Sequence, residues 1–136
     1  WDRRTRKAQK RYRSVKIGLD FHDRAKLYAR IDARVDEMIA AGLADEVKSL
    51  PGPICKTASQ AIGYSEFWRY GFDDMPFVIE RIKQDTRNYA KRQLTWFRRD
   101  PEIHWFYIDE DDGGVQNFKN IVNCATELIR AALNVI

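Results

Sequence analysis

The stretch Asp85-Thr86-Arg87-Asn88-Tyr89-Ala90-Lys91-Arg92-Gln93-Leu94-Thr95-Trp96-Phe97-Arg98-Arg99 closes a long helical pattern that begins near Met75, and the rest of the chain reads as arranged around it. At about 100° per residue, Val78, Ile79, Ile82, Thr86, Tyr89, Ala90, Gln93, Trp96 and Phe97 fall in one sector. Arg87, Lys91 and Arg98 line up in a second, and Arg81, Arg92 and Arg99 in a third beside it. One face is expected to be buried and the opposite face is cationic. A solvated amphipathic helix is the bland alternative. Against it stands the scarcity of acidic partners: Glu80 and Asp85 are the only carboxylates between Pro76 and Arg99, too few to neutralise the row by i, i+4 pairing.

Working outward, Asp74 and Pro76 open this helix and Asp100-Pro101 ends it. His104 to Ile108 is a short strand, apolar on both faces as inside a parallel sheet. Asp109 to Gly114 is an acidic turn. A terminal amphipathic helix follows, from Val115 or Asn117 to Val135, with Phe118, Ile121, Val122, Ala125, Leu128, Ile129 and Leu133 inward. On the N-terminal side, Thr57 to Trp68 reads as two short helical pieces that pivot at Gly63. A positive φ or a close backbone approach is one use of that glycine, and a plain helix–helix turn is the other. Pro51-Gly52-Pro53 ends a short helix from Leu43 to Leu50, with Leu43, Val47 and Leu50 inward.

Arg24 to Ala41 is a longer helix with Leu27, Tyr28, Ile31, Val35, Met38 and Ile39 as its inward stripe and Gly42 just past its end. Arg30 and Arg34 sit one turn apart at the stripe's edge. Glu37 is a candidate to neutralise them, or the pair is an anion clamp in which two guanidiniums grip phosphate oxygens. Ser14 to Leu19 is the first strand. Residues 1–13 carry seven Lys and Arg against Asp2 alone and form a basic arm or frayed helix. The chain opens inside that run without methionine, so a piece of a longer protein is expected, with tag residues the competing account of Trp1 and Asp2. Two strands among several helices make a mostly helical segment. Their sheet partners are expected outside this stretch; the alternative is that they pair only with each other, which is marginal.

The 136 residues, 44% hydrophobic and 32% charged, suit one globular segment with a real core. The net charge of +4 is concentrated in the opening arm and the helix ending at Arg99, which favours a phosphate-bearing partner. Cys55 and Cys124 lack C-x-x-C spacing and, with His22 and His104, suggest neither a disulfide framework nor a metal site. No apolar run reaches the ~20 residues of a membrane span. Nor is there a Gly-rich phosphate loop or a defensible nucleophile–base pair. On its own chemistry the chain is a binding surface: Lys and Arg for phosphates, with Tyr64, Tyr89 and Trp96 able to stack on bases, although packing is the default for the last two.

Ile17-Gly18-Leu19, Asp23-Arg24, Leu27-Tyr28, Arg30-Ile31, Arg34-Val35-Asp36 with Met38, Gly42-Leu43, Glu46-Val47, Gln60-Ala61-Ile62-Gly63-Tyr64 with Glu66, and Thr86-Arg87 followed by Tyr89 to Arg98 occur in an order and at spacings that resemble the C-terminal portion of the tRNA dimethylallyltransferase (tRNA isopentenyltransferase) family. The resemblance runs from Tyr12 to Ile108. It implies an α/β parent fold with a P-loop-type core and a helical insertion around a channel. It implies transfer of a dimethylallyl group from dimethylallyl diphosphate to N6 of the adenosine beside the anticodon of tRNA. It further implies Arg34, with Arg30 beside it, on the diphosphate, and Ile62, Gly63, Tyr64, Arg87, Lys91, Arg92, Gln93, Trp96 and Arg98 on the tRNA. The family's P-loop, general-base Asp and nearby Thr have no counterpart here, so no catalytic residue is assigned in this chain. Nucleotide and ATP binding and the ligands of Mg2+, a cofactor the resemblance implies, go with the same missing portion. The segment alone is expected to be inactive, and the whole enzyme to be a cytoplasmic monomer. Two other readings stand beside this one: a free-standing basic helical RNA-binding module, and a structural half whose basic rows stay solvated. A free adenine nucleotide, the acceptor in a related plant-type branch, is the alternative to tRNA; the run Lys91 to Phe97 favours tRNA.

Overall fold

Helix-forming runs, capped where the sequence offers caps, account for most of the architecture. In a computed structural model that describes residues 14–52, 55–109 and 115–133, the order is β1 (Lys16–Asp20), α1 (Arg24–Ala40), α2 (Leu43–Ser49), a 3-10 turn (Ala58–Gln60), α3 (Ser65–Tyr70), α4 (Met75–Phe97), β2 (Ile103–Tyr107) and α5 (Val115–Leu133). The basic arm and most of the acidic turn lie outside the described residues. The stretch divides into two compact units, one of Asp23–Arg99 and one of the segments before and after it.

In the helical unit, the Asp23 carboxylate accepts from the Ala25 amide and starts α1. At the other end Gly42, with φ at +100°, turns the chain directly into α2. The Asp74 carboxylate caps α4, and Pro76 falls in the first turn, where no amide donor is missed. Val35, Leu43, Val47, Phe67, Val78 and Ile82 form the buried core, with Met38, Ile39, Ile62, Tyr64, Trp68 and Phe72 among the side chains packed against it. Burying each aliphatic or aromatic side chain contributes roughly 1.5–3 kcal/mol. Asp36 pairs with Lys83 at 2.7 Å and Asp32 with Arg87 at 2.7 Å. Stepping back one turn on α1 matches stepping forward one turn on α4, so the two helices run antiparallel.

Three expectations need correction in this unit. Burial along α4 ends at Ile82: Tyr89 is 47% and Trp96 56% exposed, and Phe97 and Gln93 are exposed as well. The reason is local. α3 leads into α4 through the short link Gly71–Asp74, and its Tyr70 ring meets Phe77 and Arg81 in the first two turns of α4, ahead of these exposed side chains. Leu50 is exposed because it lies beyond the last turn of α2, in extended backbone. Third, carboxylates are not scarce for the whole cationic row, because α1 supplies Asp32 and Asp36.

In the strand unit, β1 and β2 pair in parallel, with Lys16 opposite Ile103, Gly18 opposite Trp105 and Asp20 opposite Tyr107. Gly18 is required by packing: a Cβ there would lie 2.6 Å from Trp105 Cε3. Lys16 meets Asp100 at 2.6 Å and Glu102 at 3.1 Å where the strands begin. At their far end Asn117 Nδ2, buried, donates to the Tyr107 and Ile108 carbonyls, and the His22 ring stacks on Tyr107 at 3.7 Å. Ile17 and Leu19 remain exposed on the sheet. The inward face expected of α5 is only partly covered. Ile121, Ala125 and Leu128 are half-buried, while Phe118 is 62% exposed and Val122 and Ile129 are exposed too. Two strands ~4.8 Å apart make a ledge narrower than a helix ~10 Å across. The Leu133 side chain lies outside the described residues.

Candidate nucleic-acid interface

Along α4 the cations change environment. Lys83 and Arg87 are 16% and 17% exposed and turned onto α1. Arg87 Nη1 donates to both Asp32 oxygens at 2.7 and 2.8 Å, and its Nη2 donates to Glu80 at 2.7 Å and Gln84 at 3.0 Å. The Glu80 hydrogen bond is the largest cause raising its pKa; Asp32 adds to it, against the opposing effect of burial. Both terminal nitrogens of Arg87 are thus engaged within the protein, by Asp32, Glu80 and Gln84. Arg81 is half-buried, with its guanidinium over the Tyr70 ring.

Beyond Arg87 the helix opens to solvent. Lys91, Arg92, Gln93, Trp96, Arg98 and Arg99 are all exposed. One turn further back on α1 from Asp32 stands Tyr28, and a turn beyond it Arg24, so the acidic ladder stops. Among the described residues no carboxylate pairs with Lys91. Arg92 lies 5.9 Å over the Tyr89 ring, and Trp96 meets Phe97 edge-on at 5.5 Å. The surface thus alternates cations with aromatic faces, the composition that single-stranded nucleic acid uses for phosphate contact and stacking.

The turn Ile62-Gly63-Tyr64 is built differently. Gly63 has φ at +92°, and a Cβ there would find its nearest neighbour, Leu43 Cδ2, at 3.7 Å, so backbone conformation rather than space asks for glycine. Its amide donates to Glu66 Oε2 at 2.7 Å, and Glu66 is fully buried. The Tyr64 hydroxyl donates to Glu46 Oε1 at 2.5 Å, and that hydrogen bond, followed by burial, raises the phenol pKa. Ile62 and Tyr64 pack on the core to which α4 contributes Val78 and Ile82. Lys91 to Arg98 lie roughly 14–24 Å further along α4.

Arg30 and Arg34 are exposed on α1. Arg34 Nη1 is 3.7 Å from Glu37 with both side chains about 70% exposed, a loose pair of at most ~1 kcal/mol. Glu37 therefore accompanies Arg34 without tying it down. No group of three His, Cys, Asp or Glu among the described residues is placed to hold a metal. Cys55 and Cys124 are exposed and are not joined in a disulfide. Among the described residues no helix is long and apolar enough to cross a membrane. Sequence reasoning missed the structural roles of Asp32, Asp36 and Glu46, quoting the last two only within the resemblance. The first two had a signal: carboxylates at i, i+4 on one helix facing cations at i, i+4 on another.

Residues 1–100 match the family model described as IPP transferase. The chain is 42% identical over 111 residues to tRNA dimethylallyltransferase 1 of Bacteroides thetaiotaomicron, covering 80% of this chain and 36% of that protein. It is 50% identical over 107 residues to the tRNA dimethylallyltransferase of Halothermothrix orenii, covering 75% of this chain and 32% of that protein. The crystal structure of the full-length tRNA isopentenylpyrophosphate transferase from Bacillus halodurans superposes with a TM-score of 0.70 at 36% identity, over 90% of this chain and 42% of that one. The chain spans about a third of the length of the curated relatives it matches.

Proposed function

Because the chain belongs to the IPP transferase family, we propose that it is the tRNA-holding portion of a tRNA dimethylallyltransferase. The reaction breaks the bond between the dimethylallyl carbon and its diphosphate oxygen and joins that carbon to N6 of the adenosine beside the anticodon, which gives up a proton. Diphosphate leaves as a polyanion, and fixed positive charge lowers the cost of its departure. Arg34 and Arg30, exposed one turn apart on α1, are suited to that task. An adenosine must leave its stack to react, at a cost of a few kcal/mol. Contacts from Lys91, Arg92 and Arg98 to neighbouring phosphates, and from Gln93, Trp96 and the Ile62-Gly63-Tyr64 turn to the loop, offset it. Arg87 serves this surface indirectly, by fixing α4 against α1. The proton acceptor, and any magnesium ion, belong to parts of the enzyme beyond this stretch. We read the whole enzyme as cytoplasmic and as a monomer.

The observation that carries this reading is the change along α4 from cations matched by Asp32 and Asp36 to Lys91, which has no such match among the described residues. A helix meant only to be solvated has no reason to neutralise one half and leave aromatic side chains interleaved with cations on the other. Binding to an anticodon stem-loop should weaken as salt rises. Lys91→Ala and Arg98→Ala should each lower affinity and reduce the salt slope by about 1. Unchanged affinity and slope in both variants would refute the surface.

A further inference from the structure

Glu46 is a carboxylate beside a turn that the reading above places against a polyanion, where its charge by itself opposes binding. Among the described residues its carboxylate makes one short contact: Oε1 receives the Tyr64 hydroxyl at 2.5 Å. Such O–H···O− bonds are shorter and roughly twice as strong as neutral ones. Tyr64 is anchored from its backbone end as well. The preceding residue, Gly63, is held at φ +92° while its amide donates to Glu66 Oε2 at 2.7 Å, with Glu66 1% exposed. Trp68, one turn on, flanks the ring at 6.0 Å. A tyrosine side chain has two main torsions; fixing its root through Glu66 and its tip through Glu46 leaves the ring one orientation, with part of its surface still open.

We propose that Glu46 is a positioning residue, holding the Tyr64 ring in the orientation in which it meets the RNA. This rests on the tRNA-holding reading of the stretch. Preorganisation of this kind raises affinity by removing the entropy lost on immobilising a side chain. The sign of its effect is opposite to that of its charge, and that makes the proposal testable.

The experiment is titration of an anticodon stem-loop with the intact protein and with Glu46→Ala, Glu46→Gln, Tyr64→Phe, the Glu46→Ala/Tyr64→Phe double variant and Lys91→Ala. Glu46→Ala and Tyr64→Phe should each weaken binding about threefold to tenfold, and the double variant no further than either. Glu46→Gln, whose amide oxygen still accepts from the phenol, should bind close to wild type although it has lost the charge. A merely structural role does not produce that rescue. Tighter or unchanged binding by Glu46→Ala, or additive losses in the double variant, would overturn the proposal. If Lys91→Ala weakens binding in the same series, such a result overturns the positioning role alone. Absence of binding by the unmutated protein overturns the tRNA-holding reading and the proposal with it.

Discussion

Arg87→Met separates a structural cation from an RNA-binding one. The substitution keeps an unbranched apolar stem on α4 and a comparable helix propensity, and removes the guanidinium. Two hydrogen bonds to Asp32, one to Glu80 and one to Gln84 are lost. Arg87 is 17% exposed and Asp32 33%, so the Asp32 arm is a partly desolvated charged contact, worth about 1.5–3 kcal/mol. Glu80 is 63% exposed, and its arm is screened to roughly 0.2–1 kcal/mol. Asp32 regains some water when stranded, which keeps the total below the ~3–5 kcal/mol of a fully buried pair. The expected loss is about 2–3 kcal/mol. At a urea m-value of ~2 kcal/mol/M, the unfolding midpoint falls by roughly 1–1.5 M. In a cycle with Asp32→Asn the two losses should be non-additive, with a coupling of at least ~0.5 kcal/mol. An unmoved midpoint, together with RNA affinity lowered as far as by Lys91→Ala, would refute the assignment and put the guanidinium on the RNA.

Two shorter predictions concern other parts of the structure. Gly18→Ala puts a Cβ 2.6 Å from Trp105 Cε3 and must displace the indole; an overpacking loss of about 1–3 kcal/mol is expected, with a changed near-ultraviolet signal from tryptophan, and an unaltered spectrum and stability would count against the close approach. The Tyr64 phenol has its pKa raised above 10.0 in the folded protein, so its bond to Glu46 contributes fully below pH 10.0 and is lost as pH climbs through the folded value. The stability difference between the protein and Tyr64→Phe should accordingly be constant below that pH and shrink above it in urea titrations; a difference that persists at high pH contradicts the hydrogen bond.

Helices were legible where apolar spacing and caps agreed. Gly42, Asp74 and Pro76 each mark a boundary within a residue or so of its observed place. The parallel pairing of β1 and β2 was open in the sequence, which left their partners either outside the stretch or in each other. What pattern reading cannot supply is how far a neighbouring element extends. Tyr89, Trp96 and Phe97 continue the apolar sector of α4 faithfully, and Phe118, Val122 and Ile129 continue that of α5, yet all six are exposed among the described residues. The candidate site divides in the same way. Lys91, Arg92, Gln93, Trp96 and Arg98 are exposed, as a surface requires, whereas Arg87 has the same sequence signature and the opposite environment. Only its cross-helix partner distinguishes it, and a single-helix wheel does not contain that partner. The role of Glu46 was hidden for the same reason: its bond to Tyr64 spans 18 positions.

The strand pair has a consequence for the order in which the chain folds. His22 and Asp109, which join the ends of β1 and β2, lie 87 positions apart. Closing a flexible loop of that length costs on the order of 4 kcal/mol in chain entropy beyond the constant term, and five residues on each strand return little against it. The helical unit between them is built from local contacts and from pairs such as Asp36 with Lys83, which favours early formation. Once folded, it replaces a long flexible loop with a compact body. The β1–β2 ladder should therefore zip last and open first, and its amides should exchange with solvent ahead of those in the core of α1 and α4. For a nascent chain, strand pairing would then be a late checkpoint, completed only after the helices have formed.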